Sequence, residues 1–115
     1  MPELDRDKVR KDFGKAVNMA PAEIEKWLKT EQSHEVGYKG KDGKGFGESV
    51  GHASGRRIVK ILRKKVDALT DDDYAHKRKV VGYVRRHWAQ RPANVYTSRW
   101  RYSLMNWGHD PVKED

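Results

Sequence analysis

The stretch that decides the fold runs from Thr70 to Gln90 and reads TDDDYAHKRKVVGYVRRHWAQ. Thr70 can cap a helix, because its hydroxyl oxygen can accept a hydrogen bond from the backbone N–H of Asp73. Three aspartates open this stretch, where the helix dipole favours negative charge. Pro92 disfavours helical geometry at Arg91 and marks the end. The stretch therefore predicts one helix of about 20 residues, roughly 30 Å long.

This predicted helix has an apolar face and a cationic face. Helical spacing places four apolar residues on one stripe, namely Tyr74, Val81, Val84 and Trp88. After the three aspartates every charged residue is basic, namely Lys77, Arg78, Lys79, Arg85 and Arg86. The apolar stripe predicts burial against the rest of the chain, and the cationic residues indicate a partner that carries negative charge.

Four more helices are expected around this one. In each of them apolar residues recur at spacings of three and four, which is typical of a helix with one buried face. Asp5 can cap the first helix, Pro21 suits the first position of the second, and Gly108 can end the last. The expected ranges are residues 5–17, 21–29, 55–66 and 99–107.

The connection between the third and fourth of these five helices is short. Ala68, Leu69 and Thr70 join them, so the two helices are expected to form an antiparallel hairpin. The predicted fold is an all-α, compact bundle of four to five helices around this hairpin. The bundle is expected to form a single helical domain over residues 1–115, with a frayed tail over residues 112–115.

Seven of the ten glycines lie in or next to a segment from about residue 32 to 54. The segment is also rich in lysine and has little apolar content, so it predicts one long Gly/Lys-rich loop. Ser49 or Ser54 can cap the helix that follows. Its glycines match no nucleotide-binding pattern, because Gly45 is followed by Phe46 where a phosphate-binding loop has lysine.

Composition narrows the class of protein. The chain has no cysteine, which excludes a disulfide framework and a thiolate metal site. No apolar run approaches the roughly 20 residues that a membrane span needs, and the N-terminus lacks the apolar core of a signal peptide. No membrane association is expected. The expected location is the cytoplasm, with nucleoid association if the protein binds DNA.

Charge is distributed unevenly along the chain. Residues 49–109 contain fourteen lysines and arginines against four aspartates, whereas residues 1–48 are balanced. No acidic residue occurs from Tyr74 to His109. This asymmetry favours a nucleic acid or another polyanion as partner. The alternative interpretation is a solvated surface that keeps the protein in solution.

Basic residues on the helices are the candidate phosphate contacts. Such contacts supply salt-dependent affinity but carry no base information. The expected partner is double-stranded DNA, bound with weak sequence selectivity, because the chain lacks helix-turn-helix, zinc-finger and RNP signatures. The candidates are Arg56, Arg57, Lys60, Arg63, Lys64, Arg78, Lys79, Arg85 and Arg86, with Arg99 and Arg101 as additions.

Catalysis has little support in the sequence. The five histidines form no metal-binding pattern, and no nucleophile motif is present, so neither an enzyme nor a cofactor or metal is expected. Two alternatives to DNA binding remain. The aromatic-rich last helix favours a protein-interaction module, as a homodimer or with an acidic protein partner. A metal-dependent nuclease could use carboxylates distant in sequence, such as Glu48 with Asp110.

Three long motifs resemble a known family. They are GESVGHASGRRIVKIL (47–62), TDDDYAHKRKVVGYVRRHWAQRP (70–92) and WRYSLMNWGHDP (100–111), and NMAPAEIEKWL (18–28) adds to them. The family consists of small bacterial proteins classed as a domain of unknown function, and some members carry the label DNA-binding protein. The resemblance covers most of the chain. It implies nucleic-acid binding without a defined set of site residues.

Overall fold

The computed structural model describes residues 5–36 and 49–114 of the chain. Over these ranges the chain forms six α-helices and no β-strand, so the predicted all-α class is confirmed. The helices are α1 (Arg6–Ala16), α2 (Pro21–Leu28), α3 (Glu31–Glu35), α4 (Val50–Arg63), α5 (Asp71–Trp88) and α6 (Arg99–Asn106). Two 3₁₀ turns lie at Val66–Ala68 and Pro111–Glu114. In the described part of the chain, no helix is both long and apolar enough to cross a membrane.

The start of α5 is as predicted. The backbone N–H of Asp73 donates to the Thr70 hydroxyl oxygen at 3.1 Å, and the Thr70 N–H donates to the Asp73 carboxylate at 3.0 Å. These two bonds form a reciprocal capping box, which satisfies donors that a helix start otherwise leaves unpaired. The cap sets the first turn of α5, and the basic residues follow in the later turns of the same helix.

The segment predicted as a loop over residues 32–54 is helical at both ends. α3 begins after Thr30, whose hydroxyl oxygen accepts a backbone N–H three residues on at 3.2 Å. α4 begins after Ser49, whose hydroxyl does the same at 3.0 Å. The loop prediction is wrong at these ends because local side chains cap helices there. The rest of the segment, residues 37–48, lies outside the described residues.

The C-terminal residues also differ from expectation. Pro111–Glu114 forms a 3₁₀ turn, and the Lys113 ammonium pairs with the Glu23 carboxylate of α2 at 2.7 Å. The prediction of a frayed tail is therefore wrong up to residue 114, because a contact with a distant helix holds the turn. Gly108, with φ of 80°, ends α6 as predicted, and its carbonyl oxygen accepts the Asn18 and Met19 N–H groups.

Two helix pairs make the closest packing. α1 runs in the same direction as α5, since Arg6 pairs with Asp71 near both starts and Asp12 pairs with Arg85 towards both ends. α2 packs against α4 and runs opposite to it, since Leu28 at the end of α2 contacts His52 near the start of α4, and Glu25 pairs with Arg63 at the end of α4. The core between these pairs and α6 includes four side chains with no measurable exposure, namely Ile24, Ile58, Val80 and Leu104.

Gly55 allows α4 to approach its neighbours. A Cβ atom at this position would lie 2.6 Å from the backbone oxygen of Asn106 and 2.8 Å from Cδ2 of Leu28. Both distances are shorter than carbon contacts allow, so a larger residue would push α4 away from α2 and α6. Gly55, which lies next to the Gly/Lys-rich segment in the sequence, thus serves the core.

The hairpin of α4 and α5 is present but is not the centre of the bundle. Ser54 contacts His76 and Arg57 contacts Asp73, so the two helices run in opposite directions, as expected. However, α4 and α5 are not among the closely packed pairs, because the apolar face of α5 packs on α1 and that of α4 on α2. Polar side chains bridge the space between them.

Candidate nucleic-acid interface

The exposed face of α5 carries four of the candidate cations. Arg78, Lys79, Arg85 and Arg86 line a groove of about 770 Å³ between α5 and α1. Arg85 lies 3.4 Å from the Asp12 carboxylate. Among residues 5–36 and 49–114, Arg78, Lys79 and Arg86 have no ion-pair or hydrogen-bond partner. Three positive charges on α5 are thus available to an external anion.

α4 presents a second group of candidates. Arg56, Arg57, Lys60 and Lys64 line a smaller groove of about 390 Å³, with Asp73 of α5 as its acidic member. The Lys64 ammonium lies 2.7 Å from the Asp73 carboxylate and the Arg57 guanidinium 3.4 Å from it. The Lys64 hydrogen bond, followed by the Thr70 backbone N–H, holds the pKa of Asp73 well below its usual range. One buried carboxylate therefore partly neutralises this group.

His76 links the two groups of cations. Its Nε2 atom lies 2.9 Å from the Ser54 hydroxyl oxygen, between α5 and α4. Burial is the largest cause that lowers the pKa of His76, and together with the positive charges of Arg57 and Lys79 it brings this pKa to about 4. One cation from each helix therefore acts on one imidazole, so the basic faces of α4 and α5 meet there.

We call the joined set the α4–α5 basic surface. It comprises eight of the eleven residues that the sequence singled out, namely Arg56, Arg57, Lys60, Lys64, Arg78, Lys79, Arg85 and Arg86. Among the described residues, the two grooves that these cations line also contain three carboxylates, Asp5, Asp12 and Asp73, of which Asp73 is buried. The tertiary structure thus places eight of the eleven candidates in two grooves, one along α5 and one along α4.

The other three candidates lie outside the α4–α5 basic surface and contact groups of the protein itself. Arg63 pairs with Glu25 of α2, and Arg99 donates to the backbone oxygen of Glu35 at 3.0 Å. Arg101 uses three nitrogen atoms internally. Its Nε and Nη2 atoms donate to the Asp110 carboxylate at 3.1 and 3.2 Å, and Nη1 donates to the Tyr96 oxygen at 2.9 Å.

An aromatic cluster borders the α4–α5 basic surface, and the sequence analysis did not identify it. Tyr83 of α5 stacks on Trp107, which follows α6, with ring centroids 4.3 Å apart and planes 13° apart. The His76 ring is also nearly parallel to Trp107, but their ring centroids are farther apart, at 6.3 Å. Tyr83 follows Lys79 by one helical turn, and this spacing was the signal available in the sequence.

In the part of the chain that the structure describes, no three histidine or acidic side chains lie close enough together to hold a metal ion. The Trp88 indole donates to Nε2 of buried His109 at 3.0 Å, and Nδ1 of His109 lies 2.6 Å from the Ala16 oxygen. His109 therefore connects α5 to α1.

Fold and surface together define a small helical protein whose basic residues converge on one pair of helices. Residues 12–105 match the model of a family described as protein of unknown function (DUF3140). The match covers most of the chain, so the protein belongs to this family, as its motifs predicted. Neither a curated protein nor a solved structure matches the chain.

Proposed function

We propose that the protein binds DNA, or another nucleic acid, without catalysing a reaction, through the α4–α5 basic surface. The observation that carries this proposal is the set of three exposed α5 cations without a partner among the described residues, Arg78, Lys79 and Arg86. An unpaired cation can neutralise a phosphate without first losing an internal ion pair. These three residues should therefore contribute most of the affinity.

The paired cations of the α4–α5 basic surface can also contact phosphates, at a small cost in the stability of the protein. The ion pair of Arg85 is exposed on the side of the cation, and exposed pairs stabilise a protein by about 0–1 kcal/mol. A phosphate that approaches can therefore replace the carboxylate as its partner. Arg57 and Lys64 share the buried Asp73 carboxylate, but both cations are themselves partly exposed, so one can contact a phosphate while the other stays paired. Arg101 is different, because its bidentate pair with Asp110 is mostly buried. We leave Arg63, Arg99 and Arg101 out of the proposed interface.

The dimensions favour several simultaneous phosphate contacts. Arg78 and Arg85 are seven residues apart, which is about 10 Å along a helix. Duplex DNA carries about six phosphate charges over that length, at one charge per about 1.7 Å. Contacts of this kind read the backbone and not the bases. The proposal therefore includes weak sequence selectivity.

Fluorescence anisotropy with a labelled random-sequence duplex, between about 50 and 200 mM salt, tests the proposal. The affinity of the native protein should fall steeply as salt rises. Replacing Arg78, Lys79 and Arg86 together with alanine should make the log–log salt slope shallower by about 3, since three phosphate contacts are lost.

A matched control removes the same charge elsewhere. The triple variant Lys26→Ala, Arg63→Ala, Arg99→Ala loses three cations outside the α4–α5 basic surface and should keep the native slope. If both triple variants weaken binding equally, net charge and not this surface is responsible. No binding by the native protein at low salt would refute the proposal, and the basic residues would then be a solvated surface.

A further inference from the structure

A small pocket opens beside the α4–α5 basic surface. It lies where the start of α4 meets α5 and the end of α6, and it has a volume of about 270 Å³. Val50 and Gly51 form one wall, the rings of Tyr83 and Trp107 form another, and Lys79 and Arg86 lie at its exposed edge. Ligand pockets usually span about 300–1,000 Å³, so this one suits a single small group.

The pocket contains a hydrogen-bond donor without a partner. Trp107 is 4% exposed, and its Nε1 atom makes no hydrogen bond with the residues that the structure describes. A Cβ atom at Gly51 would lie 3.0 Å from this nitrogen. Glycine therefore leaves the indole N–H open at the pocket wall. Because the indole nitrogen is not among the buried unpaired atoms of the described residues, its N–H is accessible from the pocket and can donate to an acceptor on an occupant.

The aromatic wall is held in place before any ligand arrives. Tyr83 and Trp107 stack on each other, which fixes both rings. Burial raises the pKa of the Tyr83 hydroxyl, so this group stays protonated at neutral pH. Such a preorganised wall loses little side-chain entropy on binding. The occupant should be flat and partly apolar, since two aromatic rings and Val50 line the pocket.

The exposed edge selects for negative charge. Lys79 and Arg86 have no internal ion-pair partner among the described residues, and both line the pocket. The occupant should therefore combine a flat ring, a hydrogen-bond acceptor and an attached anion. A nucleotide has all three in its base, its carbonyl or ring nitrogen, and its phosphate.

We infer that this pocket holds one unpaired nucleobase of the bound nucleic acid, while Lys79 and Arg86 hold the phosphate attached to it. This inference rests on the proposed function and extends it. A base inside a duplex cannot enter the pocket, because it is stacked and paired. The protein should consequently prefer nucleic acid that offers an unpaired base over a fully paired duplex.

The test compares three labelled DNA molecules in the anisotropy assay. They are a paired duplex, the same duplex with one extra unpaired nucleotide, and that bulged duplex with the extra base removed to leave its sugar and phosphate. Contacts between a base and aromatic side chains lead us to expect at least about fivefold tighter binding of the bulged duplex. Removing the base should abolish that preference.

A matched pair of glycine variants separates the pocket from helix stability. In Gly51→Ala the new methyl group crowds the Trp107 indole N–H, whereas Gly14→Ala places a methyl group where nothing lies within 4 Å. Gly51→Ala should lose the preference for the bulge and keep duplex binding, and Gly14→Ala should keep both. If Gly51→Ala does not fold, Val50→Phe fills the pocket, with exposed Val66→Phe as its control.

The outcomes distinguish this inference from the proposed function. Duplex binding without a bulge preference, or a preference that survives base removal or Gly51→Ala, overturns the pocket assignment and leaves DNA binding intact. If no DNA binds, a nucleoside monophosphate titration followed by the Trp107 indole N–H resonance decides. A saturable shift that Gly51→Ala abolishes keeps the pocket, and no shift removes it.

Discussion

α5 and the segment after it look alike in sequence and differ in structure. From Tyr74 onward, α5 and the segment after it lie in the stretch without acidic residues that ends at His109. On α5, Arg78, Lys79 and Arg86 are exposed without a partner among the described residues, whereas Arg101 of α6 is held by Asp110. Asp110 is the first acidic residue after that stretch. The net charge counted from the sequence of a segment is therefore larger than the charge available to a partner, because internal ion pairs use part of it.

Arg101→Ala should produce the largest effect on stability. It leaves Asp110, which is 8% exposed, without its bidentate partner. We expect a loss of about 2 kcal/mol in the free energy of unfolding, since hydrogen bonds to buried charged groups are worth about 1.5–3 kcal/mol. Urea denaturation measures it. Arg78→Ala is the matched control from α5 and should change stability by less than about 0.5 kcal/mol. Equal losses in the two variants would break the comparison.

Asp73→Asn tests the comparison between paired and available cations, because it removes the carboxylate that pairs with Arg57 and Lys64. The amide retains the cap with Thr70 but loses the ion pairs with Lys64 and Arg57. We expect the free energy of unfolding to fall by about 1 kcal/mol, since both cations are partly exposed. DNA affinity should rise, because Arg57 and Lys64 become available to phosphates. Weaker DNA binding by the folded variant would contradict this prediction.

The most gradual expected effect is a dependence of stability on pH. The pKa of His76 is about 4 in the folded protein and near 6.5 in the unfolded chain. Between about pH 7 and 4, the unfolded chain therefore binds a proton at His76 that the folded protein does not bind. The free energy of unfolding should fall as pH decreases through this range. Between pH 7 and 5.5 the loss should be roughly 1 kcal/mol. Burial also lowers the pKa of His87, which adds an effect of the same sign.

NMR titration of the His76 ring protons checks this prediction directly, and His76→Gln should make the pH dependence of stability weaker. A His76 pKa near 6.5 would show that the imidazole is not buried between the two basic faces. DNA should raise the pKa of His76, because phosphates offset the charges of Arg57 and Lys79. DNA that leaves this pKa unchanged would bind somewhere other than at the contact between α4 and α5.

Local signals predicted where helices begin. Thr70 and Asp5 cap α5 and α1 as expected, because a cap needs one side-chain oxygen and backbone a few residues away. Of the two serines that could start α4, Ser49 does so. The boundaries that failed were those of α3, the start of α4, which was expected at residue 55, and the last turn. A side-chain cap decides the first two, and a distant partner, Glu23, decides the third.

The sequence by itself determined the all-α class, the capped α5 helix, the family and the set of basic candidates, since each depends on residues close together in the chain. The tertiary structure alone decided which cations remain available and where the Trp107 pocket lies. Both depend on pairs such as Arg101 with Asp110, or Gly51 with Trp107, that meet only after the helices pack. Helix rotation sets those contacts, and it is fixed by the complete core, which no single segment encodes.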